Sequence, residues 1–318
     1  MAECKVSVCI PTYNYAAFLP EAIESILTQR FTDFELIIID DNSTDDTRAV
    51  IQRYLEQDSR IRFSVNSVNL GMVENWNLCL AEARGEYIKF IFGDDLLDSP
   101  DTLGRMTALL DAHSSVSLVC SARHLIDENS RQLRVESHFE TGIMPGTDII
   151  NQVLTMKCNV IGEPSVTMFR KAQASRGFAV KYRQIVDLEM WFHLLEQGSF
   201  AFINEPLCSF RIHDRQQTEV NKKGLSNLRE DISIMHDYLV KDYIKLSRFQ
   251  KRYLLYDNAY GIWRLYKKRK QLTRAEACEL IDANFGYQKF LFWFPFYKIY
   301  KPFLKLYRRL SAYCFSPH

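Results

Sequence analysis

Residues 34–44 read Phe34-Glu35-Leu36-Ile37-Ile38-Ile39-Asp40-Asp41-Asn42-Ser43-Thr44. The β-branched run over Phe34–Ile39 has the apolar continuity of a strand buried on both faces, and the polar stretch from Asp40 stops it. A helical pattern follows through Val50, Ile51 and Leu55. Toward the N-terminus, Val6–Ile10 is a short apolar run ended by Pro11, and Pro20 opens a helix with Ala22, Ile23, Ile26 and Leu27 on one face. Toward the C-terminus, Ile61–Val65 reads as a third strand, Met72–Ala83 as a third helix and Glu86–Phe92 as a fourth strand ending at Gly93-Asp94-Asp95. A helix over Asp101–Asp111 and an apolar strand over Val116–Ser121 complete the series. This alternation predicts an α/β fold, a Rossmann-like, mostly parallel sheet with helices on both faces. Such sheets bind ligands beyond the carboxyl ends of their strands. Thr12-Tyr13-Asn14, Asp40-Asp41 and Asp94-Asp95 all fall at such ends.

After residue 121 the pattern loosens. Asp127-Glu128-Asn129-Ser130 reads as a hairpin turn, Ile185–Gln197 as a helix, and Phe200–Ile203 and Leu207–Ile212 as short strands. From Leu225 to about Phe285 the spacing is helical. We therefore expect a catalytic domain over 1–220, a helical extension over 221–284 and a distinct tail over 285–318. The 318 residues carry 40 Lys+Arg against 39 Asp+Glu, a net charge of +1, and 47% are hydrophobic. Disorder, collagen-like repeats and a disulfide scaffold are excluded by that balance. The balance also hides a segregation: residues 1–240 hold 23 basic and 34 acidic side chains, residues 241–318 hold 17 and 5. The eight cysteines show no C-x-x-C spacing and several lie in apolar runs, which predicts reduced, buried thiols. Neither a leader peptide nor a run of the roughly 20 apolar residues that span a bilayer is read, so a cytoplasmic protein is expected.

Neither Gly-x-Gly-x-x-Gly nor Gly-x-x-x-x-Gly-Lys-Ser/Thr occurs, which disfavours a nicotinamide Rossmann domain and a P-loop NTPase. Without a glycine cradle, a bound diphosphate needs another counter-charge, and a divalent metal on carboxylates supplies it. Asp94-Asp95, after an apolar strand and Gly93, suits that role; taken alone it is equally a turn with solvated acids. Asp40-Asp41 is equally a helix cap.

Together Val8-Cys9-Ile10-Pro11-Thr12-Tyr13-Asn14, Ile38-Ile39-Asp40-Asp41-Asn42-Ser43-Thr44-Asp45 and Gly85-Glu86-Tyr87-Ile88 through Gly93-Asp94-Asp95 resemble the family 2 inverting glycosyltransferases over roughly residues 5–215. The resemblance implies a GT-A fold and a nucleotide-diphosphate sugar donor, with a UDP-sugar favoured. It implies that Pro11, Thr12 and Tyr13 line the base pocket with Tyr13 stacking on a pyrimidine. Asp41 would accept from the base with Asp40 alongside, and Asn69 and Gly71 would lie near the nucleotide. Asp94, after Gly93 and helped by Asp95, would hold Mg²⁺ or Mn²⁺ on the diphosphate. Phe92 stands where the family's Asp-x-Asp motif has its first Asp. The family's base opens a helix about 90 residues on, and Val186-Asp187-Leu188-Glu189-Met190-Trp191 makes Asp187 the candidate, or else a helix cap. Phe210-Arg211-Ile212-His213 resembles the family's Tyr-Arg-x-His segment, making His213 a third metal ligand or a phosphate contact and Arg211 a phosphate contact. Glu163-Pro164-Ser165 falls among acceptor-side loops, and Arg170-Lys171 reads as a solvated strand end.

The implied activity is metal-dependent transfer to a saccharide or lipid-linked acceptor in surface-polysaccharide synthesis. The alternatives are a catalytically inactive nucleotide-sugar-binding protein, suggested by Phe92, or a nucleotidyltransferase, which would need a glycine-rich basic loop. The tail run Phe290–Tyr297 is followed by Lys298, Lys301, Lys305, Arg308 and Arg309. An interfacial helix pair broken at Pro295 and Pro302, meeting an anionic membrane surface at the cytoplasmic face, is expected over 285–318. Homodimerisation or packing on the catalytic body competes with it, and no nucleic-acid module accompanies the charge.

Overall fold

Val6–Thr12 (β1) and Phe34–Asp40 (β2) are buried at every position, so both faces of the sheet must be covered. The structure, a computed structural model, describes residues 4–214, 226–269 and 271–297. Leu19–Leu27 (α1), Thr47–Leu55 (α2), Met72–Glu82 (α3) and Thr102–Ala112 (α4) lie between the first strands. Ile61–Val65 (β3), β2, β1 and Tyr87–Phe90 (β4) pair in parallel in that order. The alternation of the N-terminal third is therefore borne out.

Beyond β4 the sheet becomes mixed. Thr167–Arg170 (β9) inserts antiparallel between β4 and Val116–Ile126 (β6), and Ser199–Arg211 (β10) then pairs with β6 in parallel. Leu96–Leu97 (β5) and Gly142–Pro145 (β8) pair with β10, and Gln132–Glu136 (β7) pairs with β6 as the predicted hairpin. The two short strands expected near 200 and 210 are one strand, whose register shifts between Ile203 and Cys208 absorb the interruption at Pro206. Arg170 and Lys171 are not a solvated end. Arg170 donates to the Val116, Leu110 and His113 carbonyls and Lys171 to the Ala83 carbonyl, which fastens β9 to its neighbours.

Two details shape the ends of β1, one of which faces the site. Pairing of β1 with β4 stops at Cys9 and Phe90, two residues before Pro11, which has no N–H to offer that neighbour. At the opposite end, Gly85 runs so close to β1 that a Cβ would lie 2.5 Å from the Ser7 nitrogen.

The chain divides into two compact units, residues 1–149 with 159–216, and residues 150–158 with 217–318. In the second, Ser226–Leu239 (α7), Arg248–Lys267 (α8) and Arg274–Asn284 (α9) are helices; α5 (Gly146–Met156) and α6 (Val186–Leu195) precede them. Capping boxes at Ser247/Gln250 and Thr273/Glu276 satisfy the first turns of α8 and α9. Residues 287–297 form one further helix that runs through Pro295. A break there was expected, but the buried aromatics Phe290 and Tyr297 on either side of Pro295 keep the segment helical to residue 297, the last described residue. Phe290 and Tyr297 are buried with Tyr256, Ile262 and Ile281, so this part of the tail builds the helical unit's own core. Pro302 and the basic residues from Lys298 onward lie outside the described residues. Among the described residues no helix is long and apolar enough to cross a membrane, and no cysteine is disulfide-bonded.

Candidate active site

At the carboxyl end of β1, Pro11 and Thr12 are buried while Tyr13 is 43% exposed. The Thr12 hydroxyl has no hydrogen-bond partner although it is buried. Such a group costs on the order of 1–3 kcal/mol unless something satisfies it, which marks the spot as a place for a ligand atom. Gly93 approaches closely here: a Cβ on it would lie 3.1 Å from Tyr15 Cβ and 3.3 Å from Thr12 Oγ1.

The two acids after β2 are consumed locally. Asp40 is fully buried and accepts from the Ser43 N–H and hydroxyl and from Arg48 Nε at 3.1 Å. Asp41 accepts from Asn66 Nδ2 and from the Leu70 and Gly71 N–H groups, each at 2.8 Å. Asn69 Nδ2 donates to the Asp41 carbonyl at 3.1 Å. Asp41 therefore ties the Asn69-Leu70-Gly71 loop to the end of β2, where a direct contact to a base was expected. Gly71, at φ +88°, supplies the left-handed backbone that lets two successive N–H groups converge on one carboxylate. Asn14 Oδ1 accepts from the Thr44 N–H, joining the loop after β1 to the loop after β2.

The neighbouring pair divides its labour. Asp94 Oδ2 lies 3.0 Å from His213 Nε2, and burial and the nearby charge of Asp94 push the Tyr15 hydroxyl well up. Asp95 is fully buried, and its oxygens accept from Ser165 Oγ at 2.5 Å and the Arg211 N–H at 3.0 Å. Burial, and then the charge of Asp94, push its carboxyl well above the ordinary range. Both Asp95 oxygens thus hold the polypeptide in place. Beneath them the fully buried Lys89 donates to the Ser165 carbonyl and lies 3.6 Å from Cys208 Sγ.

Arg211 is likewise taken up by the protein. Its guanidinium donates to Glu21 at 2.5 Å, Ser130 Oγ at 2.8 Å, and the Asp94 and Asp127 carbonyls, all while buried. These bonds make Arg211 a brace between α1, the Asp127–Ser130 turn and Asp94. Phe92, the departure from the Asp-x-Asp pattern, stacks on Trp76 with ring centroids 4.9 Å apart. An aspartate there would forfeit that contact.

For a divalent cation the residues fit. Among the described residues no group of three His, Cys, Asp or Glu side chains assembles. Mg²⁺ and Mn²⁺ do not require one, since they commonly take one or two protein ligands and complete their shell with phosphate oxygens and water. The Asp94 carboxylate and His213 imidazole form such a convergent pair, while Phe18 and Tyr15 flank the imidazole ring.

Asp187 stands in the first turn of α6, half-buried. Its carboxyl is pushed up to about 7, chiefly by burial and further by the charge of Glu163, against a bond from the Leu188 N–H. Glu163 itself is raised by burial and lies 3.4 Å from Arg123 Nε. Trp191 Nε1 donates to the Gly162 carbonyl at 2.9 Å, fixing α6 against the loop that carries Glu163. Sequence reading put Glu163 among acceptor-side loops without linking it to Asp187, and missed Tyr15 and Lys89. A lysine inside Tyr-Ile-Lys-Phe was the one visible signal, because an apolar strand buries a cation only when it has partners.

Residues 7–175 match the sequence profile of Glycosyl transferase family 2. The chain belongs to that family. An uncharacterized Mycobacterium tuberculosis protein is 33% identical over 222 residues, covering 67% of this chain and 68% of its own. Among solved structures, Staphylococcus aureus TarS (residues 1–349) in complex with UDP-GlcNAc superposes with a TM-score of 0.64 at 20% identity, covering 88% of this chain and 81% of that one. The mannosyltransferase PcManGT of Pyrobaculum calidifontis, in complex with GDP-Man and Mn²⁺, gives 0.59 at 20% identity over 98% and 84%. These likenesses bear out the GT-A fold expected from the motifs, and this family 2 chain is a glycosyltransferase.

Proposed function

We infer that this family 2 enzyme inverts the anomeric centre of a nucleotide-diphosphate sugar, a UDP-sugar in first place, onto a hydroxyl of a saccharide or lipid-linked acceptor in surface-polysaccharide synthesis. The observation that carries the reading is Asp187, a half-buried carboxylate pushed up to about 7, where a general base works best near neutral pH. Asp187 takes the proton of the acceptor hydroxyl as its oxygen bonds the anomeric carbon. The bond from that carbon to the diphosphate breaks on the opposite side, and the electron pair leaves with the phosphate oxygen. Tyr13 offers an exposed ring for the base, and the unpartnered Thr12 hydroxyl offers a hydrogen bond to the nucleotide. Asp94 and His213 would hold Mg²⁺ or Mn²⁺, which supplies charge neutralisation to the departing diphosphate. The donor complexes of TarS and PcManGT, one of which carries Mn²⁺, support this assignment.

Asp187→Asn tests it. The variant should lose transfer by at least about a thousandfold while a UDP-sugar with Mn²⁺ still raises its melting temperature. Full activity in that variant would sink the assigned base. Donor-induced stabilisation of the wild-type chain, without transfer or hydrolysis, would favour an inactive binding protein.

A further inference from the structure

We propose that the 287–297 helix is a two-faced element whose outer face inserts into an anionic lipid surface while its inner face holds the helical unit together. Phe290 and Tyr297 are buried, and Phe290 stacks against Tyr256 with ring centroids 5.3 Å apart. Phe294 lies against Trp263 and Tyr260 at 6.2 and 6.0 Å. Four large apolar side chains of the same helix remain exposed: Leu291, Phe292, Trp293 and Phe296, with Phe292 at 66%. Phe292, Trp293 and Phe296 lie within 5.5–6.3 Å of one another, so they form one continuous aromatic patch. Soluble surfaces rarely group aromatics this way without a partner.

Charge selects the partner. Lys267 Nζ sits 5.2 Å over the Trp263 ring, which itself packs on Phe290 and Phe294. Lys268, Arg269 and Lys289 are exposed beside it in sequence or on the helix itself. Residues 285–318 contain six Lys/Arg and no Asp or Glu. An exposed aromatic patch on a segment whose charged side chains are all basic matches the headgroup region of a bilayer rich in anionic lipid, where each basic side chain adds to binding. A protein partner for the same face would be a second copy of the chain, and the test separates the two.

The full chain is floated with phosphatidylcholine vesicles with and without about 30% phosphatidylglycerol. Wild type should float with the anionic vesicles, and Phe292→Glu/Trp293→Glu should cut the bound fraction at least about tenfold. Its melting temperature should not change, because both side chains are exposed. Lys267→Gln/Lys268→Gln/Arg269→Gln should weaken binding to anionic vesicles by about tenfold or more and leave neutral vesicles unaffected. Removing the helix outright is the wrong experiment, since it takes Phe290 and Tyr297 from the core. Wild type that stays unbound, or an aromatic double variant that floats like wild type, overturns the proposal. So does a double variant whose only change is from dimer to monomer in sedimentation.

Discussion

Replacing Asp187 by Asn should make the protein more stable at alkaline pH in the same stroke that disables it. The carboxyl is raised from 3.8 to about 7 in the folded chain. Below pH ~4 it is protonated in both folded and unfolded chains and has no effect on stability. Between pH ~4 and ~7 the unfolded chain gives up its proton while the folded chain keeps it, so stability falls as pH rises. Above pH ~7 the whole cost is present. Three pKa units correspond to at most about 4 kcal/mol. The side chain is only half-buried, so solvent screening reduces this to about 1–3 kcal/mol. Asparagine keeps the shape without the charge, so Asp187→Asn should melt about 3–10 °C higher than wild type at pH 8 and nearly level with it at pH 4. Differential scanning calorimetry at the two pH values measures the difference. A variant that melts at or below wild type at pH 8 would refute the claim that burial raises this carboxyl, and with it the base near neutrality.

Three other outcomes follow from contacts already described. Glu163→Gln removes a negative charge that helps hold Asp187 up, so the acidic limb of the pH–rate profile should move to lower pH; a limb that stays put or rises contradicts the coupling. His213→Ala should raise the Mn²⁺ concentration for half-maximal transfer by about tenfold or more, with donor binding in metal-free buffer unchanged, as read by titrating metal into the apo enzyme. Gly85→Ala puts a Cβ against β1 backbone that cannot swing aside, and urea unfolding should show a loss of about 1–3 kcal/mol or more.

The strands of the first half were legible because β1 and β2 carry the continuous apolar runs Val8–Ile10 and Leu36–Ile39 and each is separated from the next by a helical repeat. The antiparallel entry of β9 was not, since periodicity says that a segment is a strand but nothing about its neighbours. β10 looked like two strands because Asn204-Glu205-Pro206 interrupts its apolar run, and a shift of register bridges the interruption. At the site, residue type identified the acids and the cations but not their debts to the polypeptide. Asp41, Asp95 and Arg211 each sit where the motifs put them, with donors and acceptors spent on loop closure. Asp94 and His213 converge to 3.0 Å, and Asp187 opens α6 with its carboxyl raised by burial. Pro295 does not break the helix because the packing of Phe290 and Tyr297 on either side of it outweighs the lost backbone bond.

The helical unit borrows residues 150–158 from the middle of the chain, and its core includes Phe290 and Tyr297 of the 287–297 helix. On the ribosome the catalytic unit is complete by about residue 216, roughly eighty residues earlier, which at 5–20 residues per second is a wait of about 4–16 s. During that interval Val153 and Leu154, both buried in the finished protein, have been synthesised without most of the unit to which they belong. The nascent chain therefore presents an unfinished apolar segment flanked by a finished enzyme. The aromatic helix over 287–297 follows every other described element, so the face proposed to meet lipid leaves the exit tunnel together with the residues that complete the helical core.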